Sequence, residues 1–246
     1  MERDIKSLAT VVNIDKKGEV NKLLTLFSPS DGIIYATAYG ARKSSKAIQV
    51  PLYGEGVFSL YYKREKDSYS LKDADIVNDR ENISKSIGKT LASSLFSELI
   101  ISSKSADEQS YALYSKSLDY LNLTENAERT VIAFIIHFLS ISGLLPSFTF
   151  CPVCQRQYTE EETLGFNDRY QTLSCLSCDS RRETFILPMN ARKFIKRISE
   201  ISFEDAFLLS VSSSQEKKVL NWLVRLLKEI YPIHIRSLDF NLEDYL

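Results

Sequence analysis

All four cysteines of this 246-residue chain fall in two Cys-x-x-Cys pairs, Cys151-Pro-Val-Cys154 and Cys175-Leu-Ser-Cys178, with 20 residues between them. Each pair offers two thiols from one tight turn, and the intervening segment has the length that lets two such turns close into a tetrahedral four-sulfur site. A soft thiolate set selects zinc, with an iron–sulfur centre as the competing occupant. Disulfides fit poorly with a reducing interior, and a dithiol redox pair needs one such motif after a strand, not two matched ones. Four sulfurs fill the tetrahedron, whereas a catalytic zinc keeps a position open for water. The expectation is therefore one structural Zn2+ on Cys151, Cys154, Cys175 and Cys178. Residues 155–174 (QRQYTEEETLGFNDRYQTLS) are too polar to build a core alone. Metal binding can supply on the order of 10 kcal/mol of folding free energy to such a segment.

Hydrophobic residues make up 44% of the chain and charged residues 26%, which excludes disordered and fibrous classes. The opening MERDIKSLATVV leads with charge, and no apolar run has the length of a signal peptide or a membrane span. These features predict a soluble cytoplasmic protein. The net charge of −1 marks no general polyanion binder, so a nucleic-acid surface has to come from local segregation of charge. Residues 1–80 carry 13 lysines and arginines against 11 carboxylates, a balance of about +2.

The first 80 residues read as strands: LATVVNI, NKLLTLFS, GIIYATAYGA, GEGVFSLYYK and YSLKDADIV, divided by turn compositions. Five short strands predict a five-stranded OB-fold β-barrel over residues 1–80. From residue 81 the period changes. Ile83, Ile87, Leu91, Leu95 and Leu99 recur every four positions, which predicts one face of a helix. Further helices are predicted over about 107–122 and 127–143, the latter apolar enough to be a buried centre. After the cysteines, 187–201, 203–211 and 215–231 read as amphipathic helices. The expectation is an α+β chain of two domains, the barrel at 1–80 and an all-helical domain at 81–246 with a zinc finger inserted at about 148–182.

No catalytic constellation stands out, and the chain is not expected to be an enzyme. His137 sits inside an apolar helix, as a core histidine does, and His234 has no partner legible in sequence. GxxxxGK[ST] and GxSxG motifs are missing. The basic turns say more: Lys16 and Lys17 before Gly18, then Arg42, Lys43 and Lys46, then Lys63, Arg64 and Lys66. Tyr35, Tyr39, Tyr61 and Tyr62 lie on or beside the strands leading into them. Cations that track phosphates beside aromatics that stack on bases are how OB folds hold single strands. Solvated turns with inward-packed tyrosines are the competing reading. A second basic cluster, Arg181, Arg182, Arg192, Lys193, Lys196 and Arg197, reads equally as a solvated helix face.

The run GEVNKLLTLFSPSDGIIYATAYGARKSSK, the later GEGVFSLYYKREKDSYSLKDADIV and the helical half with its paired Cys-x-x-Cys insertion resemble the RecO family of bacterial recombinational DNA-repair proteins. The resemblance spans essentially the whole chain and is most specific at residues 18–46 and at the four cysteines. It implies a protein that binds single- and double-stranded DNA, anneals complementary strands, partners RecR, and helps RecA replace single-strand-binding protein (SSB), with RecF an indirect partner. By position it makes Arg42, Lys43 and Lys46 DNA contacts, with Lys16, Lys17 and Lys22 as lesser ones. It also implies docking of the acidic, apolar SSB tail on the helical domain, for which Arg192, Lys196 and Arg197 are the candidates. The slightly acidic net charge departs from a strong DNA binder. An RNA-binding zinc protein with an OB fold is the alternative, since OB folds and zinc knuckles also bind RNA. A metal-dependent nuclease would need clustered carboxylates, for which Asp73, Asp75 and Asp79 are the nearest group.

Overall fold

A computed structural model of the protein describes residues 4–43, 48–64, 68–104, 107–182, 184–231 and 233–246. Contacts within the chain gather it into two compact units, one ending at Glu125 and the other starting at Asn126.

The first unit is built on β1 (Asp4–Lys17), β2 (Asn21–Ser28), β3 (Gly32–Ala38), β4 (Glu55–Lys63) and β5 (Ser68–Asn78). They close into a barrel in the order β1-β2-β3-β5-β4, the five-stranded OB arrangement expected from the sequence. Alternate residues point inward, so Ala9, Val11, Leu24, Leu26, Ile34, Ala36, Phe58 and Leu60 fill the interior. Among the described residues the barrel pairings are antiparallel except the seam between β3 and β5, which is parallel and registers Ala36 with Tyr69 and Thr37 with Ser70. At Gly56, beside a register shift between β4 and β5, a Cβ would stand 2.1 Å from the Asp75 carbonyl oxygen, so no larger residue fits.

Two helices belong to the same unit, α1 (Ile87–Ser103) and α2 (Glu108–Leu123). Each begins where a side chain accepts a free backbone N–H: Ser86 from Lys89 and Asp107 from Ser110. Tyr111 and Tyr114 of α2 pack on Phe27 of β2 with ring centroids 5.4 and 5.9 Å apart. The four-residue repeat does not mark the buried face of α1. Leu95 and Leu99 are buried, but Ile87 is 68% exposed, and Ile83 lies in a separate 3-10 turn, Glu81–Lys85. A step of four overshoots the 3.6-residue turn by about 40°, so such a row winds off one face.

In the second unit α3 (Ala127–Ile141) is the buried centre, with every residue from Ala127 to Ile136 covered. α4 (Met189–Glu200) and α5 (Ser213–Ile230) pack against it, and the short hairpin β6 (Leu164–Asn167) and β7 (Thr172–Cys175) lies between α3 and α4 in the chain. The stretch 203–211 is not the amphipathic helix that its pattern predicts. It forms only a 3-10 turn, Asp205–Leu208, because the Ala206 and Leu209 carbonyls accept from Nη1 of Arg129 at 2.6 and 3.0 Å. Arg129 is itself fixed by a buried ion pair with Glu216. No helix among the described residues is long and apolar enough to cross a membrane.

Candidate metal centre and basic barrel edge

The four cysteines gather, with their sulfur atoms all within 4.8 Å of one another, and none is in a disulfide. Local backbone chemistry makes the two knuckles. The Gln155 N–H donates to the Cys151 carbonyl at 2.9 Å, the Cys151 N–H donates to the Arg156 carbonyl at 2.8 Å, and Gln155 takes the left-handed φ of 61° that reverses the chain. The second pair begins where β7 ends, held in register by Leu164 opposite Cys175, and turns through the 3-10 segment Leu176–Cys178. Cys151 and Cys175 are buried, Cys178 is half-buried and Cys154 is exposed.

A cation suits this donor set. Burial opposes ionisation of Cys151, yet the backbone N–H groups of Cys154, Cys175 and Val153 outweigh it and bring the thiol down to about 6. Cys178 is pushed up to about 12, by burial first and then by its sulfur neighbours. Four thiols this close cannot all ionise without a positive ion among them, and a divalent ion that prefers sulfur supplies it. Among the described residues, no other group of histidines, cysteines and carboxylates is disposed to hold a metal ion. Asp73 and Asp75 instead lie exposed along β5.

On the barrel, the loop after β3 is sewn to the β1–β2 turn. Nη1 of Arg42 donates to the Gly18 carbonyl at 2.9 Å, the Arg42 N–H to Val20 at 3.0 Å, and the Gly40 N–H to Oδ1 of Asn21 at 2.9 Å. Lys43 lies 3.9 Å from Glu19, and Lys22, paired across the hairpin with Lys16, reaches Oε1 of Gln49 at 3.3 Å. Lys17 donates to Oγ1 of Thr37 at 2.8 Å. Five of the six predicted DNA contacts therefore share one edge: Arg42, Lys43, Lys16, Lys17 and Lys22. The sixth, Lys46, lies outside the described residues, as does Lys66. Aromatics border this edge. Tyr35 and Tyr39 are each 52% exposed, and Nζ of Lys63 donates to the Tyr39 hydroxyl at 3.0 Å while standing 4.3 Å over its ring. Tyr61 lies under Lys72 at 5.1 Å, and Tyr62 packs on Tyr69 with the rings tilted at 46°.

The basic residues of α4 separate. Arg192 is buried, donating to the Thr159 and Glu160 carbonyls at 2.5 and 2.6 Å, and so ties the helix to the metal-binding segment. Arg192 and Lys196 line a cleft of about 800 Å3 with Phe148, Phe150 and Tyr158. Arg197 faces a different groove beside Phe194, Leu209 and Val211. Arg181 is engaged by Asp168 at 2.5 Å and Glu229 at 2.7 Å. His137 packs its ring on Phe203, and His234 meets Asp239 at 3.1 Å. The residue that sequence reasoning missed outright is Arg80, a fully buried hub of the first unit, which reads in sequence as one more loop charge.

Residues 80–239 match the family described as recombination protein O C terminal. The chain belongs to the RecO family. The match covers well over half of the chain, including the cysteine segment, and agrees with the resemblance noted from the sequence. Relatives of similar length carry the name DNA repair protein RecO. That of Clostridium novyi (strain NT) is 26% identical over 242 residues, 95% of this chain and 92% of its own. That of Caldicellulosiruptor saccharolyticus is 25% identical over 248 residues, 98% of this chain and 97% of its own. That of a Thermoanaerobacter species (strain X514) is 23% identical over 243 residues, 97% of each.

Proposed function

We propose that this RecO-family chain is a DNA repair and recombination mediator that binds single- and double-stranded DNA, anneals complementary strands and, with RecR, helps load RecA on DNA coated by SSB. In this reading residues 1–80 form the nucleic-acid-binding domain, and 81–246, with the zinc finger at about 148–182, meet the protein partners. The observation that carries it is the stitching of the Arg42 loop to the Gly18 turn, which collects Arg42, Lys43, Lys16, Lys17 and Lys22 beside the exposed rings of Tyr35 and Tyr39. Annealing needs no bond chemistry. Cations that neutralise phosphates on two strands reduce their mutual repulsion, and ring faces hold bases unpaired until complements meet.

The metal is Zn2+, held by Cys151, Cys154, Cys175 and Cys178, and its work is to fold a polar segment. The SSB tail is placed on the α4 side of the second unit. There Arg197 lines a mixed groove that includes Phe194, Leu209 and Val211, and Lys196 lines the cleft that Arg192 shapes.

Salt titration of DNA binding tests the barrel edge. The log–log slope is about −0.9 per phosphate neutralised on duplex and about −0.7 on single strands. The double variant Arg42→Ala, Lys43→Ala should flatten the slope by roughly the two contacts it loses and slow annealing in proportion. An unchanged slope with the fold intact would overturn the assignment. A matched RNA strand that competes better than DNA would turn the reading toward RNA.

A further inference from the structure

The first cysteine knuckle also builds one wall of the 800 Å3 cleft. Around it the chain folds back on itself: Phe150 bridges Gln157, and the Tyr158 N–H donates to the Thr149 carbonyl at 2.9 Å. The rings of Phe148, Phe150 and Tyr158 line the cleft from this segment, and α4 supplies Arg192, Lys193 and Lys196. Arg192 joins the two, because its Nη2 spans the Thr159 and Glu160 carbonyls. Its Nη1 is buried and has no hydrogen-bond partner among the described residues, so donor capacity and positive charge stay unused beside the cleft. Lys196 meets Glu200 at 3.8 Å in an exposed pair, which offsets little of its charge. Three cations thus face Glu160, the one carboxylate among the described lining residues.

The walls say what kind of anion fits. Among the described residues, the apolar side chains of this cleft are all aromatic, and Phe150 is 43% exposed. The groove at Arg197 has the aliphatic Leu209 and Val211 instead. Aliphatic walls suit an apolar peptide. Exposed ring faces beside cations suit bases and phosphates, and the amides of Gln155 and Gln157 add hydrogen-bonding groups for base edges.

We propose that the cleft between the first knuckle and α4 is a second binding site for single-stranded DNA, with bases on Phe150 and Tyr158 and phosphates on Lys193 and Lys196. The inference rests on the reading of this chain as a DNA binder, adds a strand site apart from the barrel edge, and leaves the Arg197 groove to the SSB tail. A duplex keeps its bases stacked inside, so the rings select single strands. A chain with two such sites has a place for each partner of an annealing reaction.

The test uses the full chain loaded with zinc and carrying Arg42→Ala and Lys43→Ala, which sets the barrel edge aside. Anisotropy of a labelled oligo-dT strand should still register binding. Adding Lys193→Gln and Lys196→Gln should weaken it at least about tenfold and flatten the log–log salt slope by about 1.4, two contacts at about 0.7 each. Adding Phe150→Ala instead should weaken it at least about fivefold at an unchanged slope, and Phe150→Tyr should hold the affinity. All three side chains are exposed or half-exposed, so zinc content and thermal melts should match the parent. In the parent chain, a photocross-linked strand carrying 5-iodouracil should mark peptides that hold Phe150 or Tyr158. Binding that the cleft variants leave within about twofold, with no mark on those peptides, would overturn the inference and leave the barrel edge standing. An acidic peptide with a free C-terminal carboxylate that weakens in these variants, while the strand does not, would overturn it in favour of a peptide site. Parent-like binding by the Arg42→Ala, Lys43→Ala chain, lost in the cleft variants, would overturn the barrel edge alone.

Discussion

The guanidinium of Arg80, fully buried, donates to the Glu55 carboxylate at 2.7 Å, tying the end of β5 to the start of β4. The same guanidinium serves Asp119 at 2.7 Å, the Ser115 hydroxyl at 2.7 Å and the Tyr53 carbonyl at 2.9 Å, so one side chain clamps strand, loop and α2. Glu55 also accepts from the Tyr111 hydroxyl at 2.6 Å. Arg80→Met should cost about 3–5 kcal/mol, because it leaves carboxylates without their cation. Urea denaturation measures the loss, and a fall in unfolding free energy below about 1 kcal/mol would show that the network is replaceable.

Tyr39 carries a prediction about which form of DNA is held. Its exposed ring can stack on an unpaired base, a contact worth about 1–3 kcal/mol. Tyr39→Ala should weaken single-strand binding about tenfold or more and duplex binding far less, while Tyr39→Phe should retain the affinity. Fluorescence anisotropy with short single and double strands gives the comparison, and equal losses on both would assign Tyr39 to packing.

Acid sensitivity centres on Asp31 in the turn between β2 and β3. Hydroxyls of Ser30 and Ser7 hold its carboxyl below the usual value of 3.8; burial opposes them and Ser28 adds a smaller effect in the same direction. A folded-state pKa below the unfolded one means that the stabilisation is complete above about pH 4 and is lost as pH falls through the folded value. Asp31→Asn should therefore lower stability at neutral pH and flatten the fall below pH 4. Thermal melts between pH 2 and 7 report it.

The metal centre should matter to folding before it matters to DNA. Cys175→Ser removes a buried ligand, and with it much of the roughly 10 kcal/mol that zinc can lend to a small segment. Its second unit should lose cooperative melting, and near-stoichiometric zinc should disappear. Salt-dependent DNA binding by the barrel edge should fall by a smaller factor, and an equal fall would place the segment in the DNA interface.

The parts of this molecule legible in sequence were those dictated by local chemistry. Thiol spacing foretells that Cys151, Cys154, Cys175 and Cys178 converge, because a tight turn presents both members of each pair. Strand alternation foretells the barrel, because inward and outward residues swap at every step. What stayed hidden depends on partners remote in the chain. Residues 203–211 carry a helical pattern, yet Arg129 captures the carbonyls a helix would need. Arg192 reads as surface charge, yet it is spent on the Thr159 and Glu160 carbonyls. Among the candidate DNA contacts, charged turns could be listed from the sequence, but nothing in it says that Arg42 reaches back to Gly18. Ile87 misled for a geometrical reason, since a four-residue repeat drifts around a helix.

Among the described residues the parallel seam between β3 and β5 registers two residue pairs, and it joins segments more than 30 positions apart. β1, β2 and β3 can zip by short hairpins, and so can β4 with β5; closing the ring then demands that the β4–β5 hairpin reach both β3 and β1, whose partners on β4 lie more than 40 positions away. Loop closure of that span is entropically costly and is repaid late. The kinetic bottleneck in forming the barrel accordingly lies in docking the β4–β5 hairpin on β3 and β1, and substitutions in those two seams should slow folding more than substitutions in the β1–β2 hairpin.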